Sequence, residues 1–255
     1  MIRIAALQMQ TAGADTAANL ARIEAAAREA AVAGATLLVT PELGVTSYGG
    51  GEKIRTLAEP ADGPIVARLG EIARKTGIAL VAGFAEKAGD KVYNSAVYTD
   101  GASPPSVYRK SHLYGDYERN LFTPAKPSTC LFSHHGMKLG MLICYDVEFP
   151  ENVRRLALAG ADMILVPTAT PAGYSGSFIA DKMIPVRAFE NQVFIAYVNN
   201  VGQDLEFDYA GQSVIAAPDG SALAQARLSE ALLTAEIDPA LYARSRSENT
   251  YLNDL

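Results

Sequence analysis

The chain is poor in the residues that build metal centres and disulfide frameworks. Its 255 residues include two cysteines, Cys130 and Cys144, and three histidines. His134 and His135 are adjacent, so on a strand they would point to opposite faces, and no other Cys or His pair has ligand spacing. No metal is expected. Basic runs are missing as well, and a net charge of −6 with a pI near 5.2 argues against nucleic acid or an anionic membrane as partner. The longest uninterrupted apolar run, "VFIAYV" at 193–198, is far too short to cross a bilayer. The opening "MIRIAALQMQ" lacks the apolar core and small-residue cleavage site of a secretory signal and reads as a first strand. The expectation is a soluble cytoplasmic protein with reduced cysteines and small-molecule partners.

What is present is an apolar, evenly mixed chain, 49% hydrophobic and 20% charged, with no low-complexity linker, which suits one globular domain over residues 1–255. Leu20, Ile23, Ala27, Ala30 and Ala31 share one face of a predicted helix, and Ile65, Leu69, Ile72 and Ala73 share one face of another. Each feeds a short apolar strand, "TLLVT" and "IALVAGF", of the kind covered on both faces. The chain also echoes itself. "AGATLLVTPEL" at 33–43 resembles "AGADMILVPTA" at 159–169, and the hairpin-like stretch 78–101 resembles 193–220. Two halves, each reading strand, helix, strand, helix, hairpin, can bury their bare sheet faces against each other as a four-layer α-β-β-α sandwich. The polar tail, about 240–255, has no clear period and is expected to fray or to dock on a partner subunit.

Three stretches carry candidate chemistry. Cys144 ends the strand-like "MKLGMLIC", and Pro150 then starts a predicted helix ending at Gly160. A cysteine at that turn would meet the positive end of the helix, which favours a thiolate. Taken alone, Cys144 reads first as a buried core residue, since free cysteine is commonly buried. A Cys130–Cys144 disulfide is disfavoured in a reducing compartment. A Cys–His pair would need His112, the histidine beside a distinctive motif. Glu42 ends the strand in "LLVTPELG", at the carboxyl edge where ligands gather in α/β folds. Lys110 lies among apolar and aromatic residues in "VYRKSHLYGDYERNLFTP", with Glu118 eight positions on.

Together these stretches resemble the nitrilase superfamily of carbon-nitrogen hydrolases, which has a Glu in a "PE" strand end, a Lys in "YRK.HL" and a Cys in "CYD..FPE". The likeness runs from "IAALQMQ" to about "EIDPALY". It implies a four-layer fold, Glu42 as general base and acid, and Lys110 as oxyanion stabiliser together with the Tyr145 backbone N–H. Cys144 would be the nucleophile and Glu118 a second glutamate beside the triad. It further implies a small amide substrate hydrolysed through a thioester, with nitriles or N-carbamoyl amino acids as alternatives, no cofactor, and a homodimer or higher homo-oligomer. Glu148 stands where many such proteins carry arginine, so it either meets substrate or pairs with Arg154 or Arg155. Tyr48, Thr168, Ala169, Tyr174 and Asn199 or Asn200 are further pocket candidates, for strand ends and glycine-rich loops are where specificity commonly sits. "RAFEN" at 187–191 reads as helix structure.

Overall fold

A computed structural model describes residues 1–255. The strands are β1 Ile2–Gln8, β2 Leu37–Val39, β3 Ala79–Ala88, β4 Lys91–Thr99, β5 Ser106–Arg109, β6 Leu131–His134 and β7 Met137–Met141. They continue as β8 Met163–Thr168, β9 Phe194–Asn199, β10 Val201–Gln203, β11 Asp208–Ala210, β12 Val214–Ala216, β13 Ala222–Gln225 and β14 Ala231–Ile237. The helices are α1 Thr16–Val32, α2 Lys53–Leu57, α3 Pro64–Thr76, α4 Gly115–Leu121, α5 Pro150–Leu158, α6 Tyr174–Phe178, α7 Ile184–Asn191 and α8 Ala243–Glu248. Two six-stranded sheets result, ordered β14-β1-β2-β3-β4-β5 and β13-β12-β9-β8-β7-β6.

Side-chain alternation explains the layers. In β1, Ile2, Ile4 and Ala6 enter the core shared with the second sheet, whereas Ala5 joins the cluster under the first sheet's helices. In β2, Leu37 and Val39 face inward to the other sheet, while Leu38 meets that same helical cluster. Ile23, Ala27 and Ala30 of α1 and Ile65, Leu69 and Ile72 of α3 supply that layer, as their spacing predicts. A one-residue slip of β2 would exchange the two faces, so apolar burial on both sides sets its register. Asp15 caps α1 through Ala18 N at 3.0 Å, and Gly77, at φ 75°, ends α3 in the left-handed conformation. On the second sheet, Val153 and Leu156 of α5 and Ile184 and Ala188 of α7 belong to the large core. The four-layer expectation therefore holds.

The halves differ in their hairpins. β3 and β4 pair directly, but β9 reaches its partner β12 only after the separate ribbon β10–β11. The tail is helical where no period was read. Tyr242 packs edge-on to Phe194 with ring centroids 5.1 Å apart, and Ser245 Oγ donates to Gln192 Oε1 at 2.9 Å, so the tail rests on its own chain.

Gly83 of β3 ties this frame to the loop after β2. A Cβ there would lie 2.4 Å from Leu43 N and 2.9 Å from Glu42 Cα, and both neighbours are backbone. A methyl group would push that loop off the sheet. Gly83→Ala is expected to cost about 1–3 kcal/mol, as overpacking does, and to lower turnover more than twofold; urea denaturation and a rate assay check both, and an unchanged pair refutes the contact.

Candidate active site

The parallel strands deliver their carboxyl ends to one edge of the sandwich. Glu42 follows β2, Lys110 follows β5, Cys144 lies two residues past Leu142 after β7, and Ala169 and Thr170 follow β8. Leu43 and Cys144 both have positive φ, 49° and 44°, a conformation unfavourable for side chains bearing a Cβ. Such strain persists where surrounding structure over-determines it.

Lys110 is fully buried between two carboxylates. Its Nζ donates to Glu42 Oε1 at 2.7 Å and to Glu118 Oε1 at 2.6 Å. An ammonium has three N–H bonds, so one remains. Asn94 of β4 also donates to Glu42 Oε1, at 2.7 Å, while Glu42 Oε2 is buried without a partner. Glu118 is fully committed, accepting from Lys110 and the Tyr48 hydroxyl (2.8 Å) on one oxygen and from Tyr114 N (2.9 Å) on the other. Burial pulls the Lys110 pKa down, but Glu118 and Glu42 more than offset it and hold it well above the usual range. Burial lifts the Glu42 carboxyl, and the Glu118 charge adds to this against the pull of Lys110.

Cys144 opens a short 3-10 turn, Cys144–Glu148, which precedes α5. The expected arrangement, a thiol at the α5 N-terminus, is therefore corrected, because five residues of turn intervene. The thiolate expectation changes with it. Burial, then the Glu42 charge, raises the Cys144 pKa well above normal, and Lys110 and the Ala169 backbone only partly counter this. Its surroundings thus disfavour a thiolate. Thr170 Oγ1 lies 3.7 Å from the sulfur and 2.5 Å from the Tyr197 hydroxyl. Cys130 and Cys144 are both free. His112 makes no pair with Cys144; its Nδ1 bonds Asp146 at 3.0 Å and its ring stacks on Phe149 at 3.9 Å.

A cavity of about 440 Å³ opens over this cluster, and Tyr48, Glu118, Cys144, Tyr145, Glu148 and Ala169 are among its walls. Tyr174 stands at the cavity with 82% of its surface exposed. Thr168 is not among them. It is the last residue of β8, and its hydroxyl turns back to Val166 O at 2.9 Å, so the lining threonine is Thr170, two residues on. Asn199 and Asn200 are likewise structural: Asn199 holds Thr170 N and Gly211 O, and Asn200 Nδ2 donates to Glu42 O at 3.3 Å. Glu148 forms no ion pair with Arg154 or Arg155, because Arg155 turns to Asn152 Oδ1 at 2.8 Å and Arg154 Nη1 is unpartnered.

Two braces hold the loops in place. Asp146 accepts from Tyr108 OH (2.9 Å), Ser111 Oγ (2.7 Å), His112 N (2.8 Å) and Ile143 N (3.3 Å), which locks the Lys110 segment to the Cys144 turn. Arg187 of α7 donates to Val147 O at 3.1 Å and Glu148 O at 2.7 Å, so "RAFEN" supports the turn as well as forming helix.

Residues 3–247 match the model of the carbon-nitrogen hydrolase family. The chain belongs to that family. It is 44% identical to a protein called "Hydrolase in pqqF 5′region" from Pseudomonas protegens, over 99% of this chain and 88% of that one. A nitrilase from Pyrococcus abyssi is 36% identical, with 100% and 96% covered, and an (R)-stereoselective amidase from a Pseudomonas species 35%, with 99% and 91% covered. An amidase from a Nesterenkonia species superposes with TM-score 0.89 at 32% identity, covering 100% of this chain and 93% of that one. A variant of that amidase has been solved with acrylamide added to its active-site cysteine.

The Asp146 brace is open to direct test. Asp146→Asn keeps the shape but sets an amide N–H₂ against donors. It should destabilise the fold by about 2–4 kcal/mol, the usual cost of breaking a buried charged network, and reduce kcat/KM at least tenfold. Denaturation and kinetics on the same preparation check this; wild-type values in both would remove the brace from the argument.

Proposed function

We propose that this carbon-nitrogen hydrolase is an amidase that converts small carboxamides to carboxylate and ammonia through a thioester on Cys144. The observation that carries the reading is Glu42 Oε2, a buried carboxylate oxygen with no partner, close enough to Cys144 for its charge to act on the thiol. As the sulfur attacks the amide carbon, its proton passes to Glu42 and the carbonyl electron pair moves to oxygen. Two carboxylates and one ammonium carry a net negative charge, and the arriving proton neutralises it. The raised Glu42 pKa therefore assists the transfer. The third N–H of Lys110 and the Tyr145 backbone N–H, in the first turn of the 3-10 segment, stabilise the oxyanion. When the carbonyl re-forms, the C–N bond breaks and Glu42 returns the proton to the departing nitrogen as ammonia. Water deprotonated by Glu42 then attacks the thioester, and the sulfur leaves with that proton.

No step in this scheme calls for a metal or organic cofactor. Tyr48 and Ala169 shape the acyl pocket, and Tyr174 lines its mouth. Amide is favoured over nitrile as substrate because the superposed Nesterenkonia enzyme is an amidase. No helix is long and apolar enough to cross a membrane; the two free cysteines support a cytoplasmic setting. Exposed Tyr174, Phe178 and Val186 on the outer helices support self-association.

Cys144→Ala should fold, by circular dichroism and melting, yet release ammonia at least about a thousandfold more slowly, as loss of a nucleophile does; retained turnover would sink the scheme. Hydroxylamine added to the wild type should divert the thioester to a hydroxamate. Glu118→Gln removes a charge that raises the Glu42 pKa. Since the base must be ionised, the acid limb of the kcat/KM profile should move to lower pH; a limb that stays or rises contradicts that coupling.

A further inference from the structure

The cavity wall contains two carboxylates, Glu118 and Glu148, and no lysine, arginine or histidine. Lys110 lies behind it, with two of its N–H bonds on Glu42 and Glu118. Glu118 has both oxygens hydrogen-bonded, as described above. Glu148 differs from it in every respect. Its carboxylate has neither an ion pair nor a side-chain hydrogen bond, and Arg187 takes only its backbone carbonyl, with other N–H groups on Val147 O and on Glu190 at 2.9 Å. Burial raises the Glu148 pKa, with Lys110 and Arg187 opposing at a distance. Leaving a half-buried carboxylate without a partner is costly, and a ligand cation would relieve it.

The remaining wall fits the same ligand. Tyr48, Tyr114, Tyr145 and Tyr174 all line the cavity, and Tyr114 and Tyr145 meet edge to face with centroids 5.2 Å apart. Tyrosine faces attract ammonium groups. A carboxylate-bearing acyl group would meet the opposite: the unpaired Glu148 carboxylate, with no lysine, arginine or histidine on the cavity wall to pair with. Along the 3-10 turn, Glu148 is four residues from Cys144, roughly 8 Å at about 2 Å rise per residue. That span places a partner a few bonds from the reacting carbon.

We propose that the substrates of this amidase are small amides with a protonated amine on the acyl chain, and that Glu148 is the residue that selects them. This rests on the amidase reading above and names its substrate class. It also disfavours N-carbamoyl amino acids and other substrates with a free carboxylate.

The test compares three amides of similar size near neutral pH: 4-aminobutanamide, whose amine with pKa about 10 is protonated, neutral pentanamide, and anionic succinamate. Wild type should favour the first over the second at least tenfold in kcat/KM and turn over succinamate most slowly. In Glu148→Gln the amine-to-neutral ratio should fall at least tenfold, and in Glu148→Arg succinamate should overtake 4-aminobutanamide. Equal wild-type rates on pentanamide and 4-aminobutanamide overturn the selectivity while leaving the amidase reading intact, and so does a ratio unchanged in Glu148→Gln. Ammonia from none of the three overturns both. The wild-type ratio decides the substrate class even if a variant does not fold.

Discussion

One buried ammonium organises the site. Lys110 is buried away from solvent, and an isolated charge in that position would be expelled or neutralised. Glu42 and Glu118 make the burial tolerable, and in doing so they fix the relative positions of three separate segments: the loop after β2, the end of β5, and α4. The arrangement has one negative charge too many. Burial first, and the neighbouring carboxylate charges after it, raise both the Glu42 and the Cys144 pKa against the pull of Lys110, so the two shifts have a common origin.

The same constraint explains the supporting residues. A cluster at hydrogen-bond distances tolerates little displacement, and Glu42, Lys110 and Cys144 sit on loops or turns while α4 holds Glu118. Asp146 and Arg187 pin the Cys144 turn from opposite sides, one to the Lys110 segment and one to α7. Gly83 lets the sheet carry the Glu42 loop at backbone contact. The sandwich supplies stiffness beneath these loops, since alternating burial on both sheet faces leaves its strands no register freedom.

Much of this was legible in the chain. The helix periods of α1 and α3, the internal echo and the three motifs all describe local pattern, and the four-layer fold is what such patterns can bury. Glu42, Lys110, Cys144 and Glu118 were named from those motifs, and the structure gathers them. What could not be read depends on geometry between distant segments. Thr168 and Thr170 look alike in "VPTATPAG", and only the exact strand end decides which one faces the cavity. Asn94 has no local signal beyond being a polar residue in a hairpin. Asp146 sits inside the cysteine motif, but its partners lie at 108–112. Arg154 and Arg155 are near Glu148 in sequence, yet neither pairs with it, and Arg155 bonds Asn152 instead.

The burial of Cys144 has a consequence for the life of the protein. Peroxides oxidise thiolates far more readily than thiols, and irreversible over-oxidation begins from the sulfenic acid that a thiolate forms. A buried sulfur whose ionisation is disfavoured by its surroundings offers oxidants a poor target. The burial that disfavours the thiolate thus doubles as chemical shelter for the sulfur.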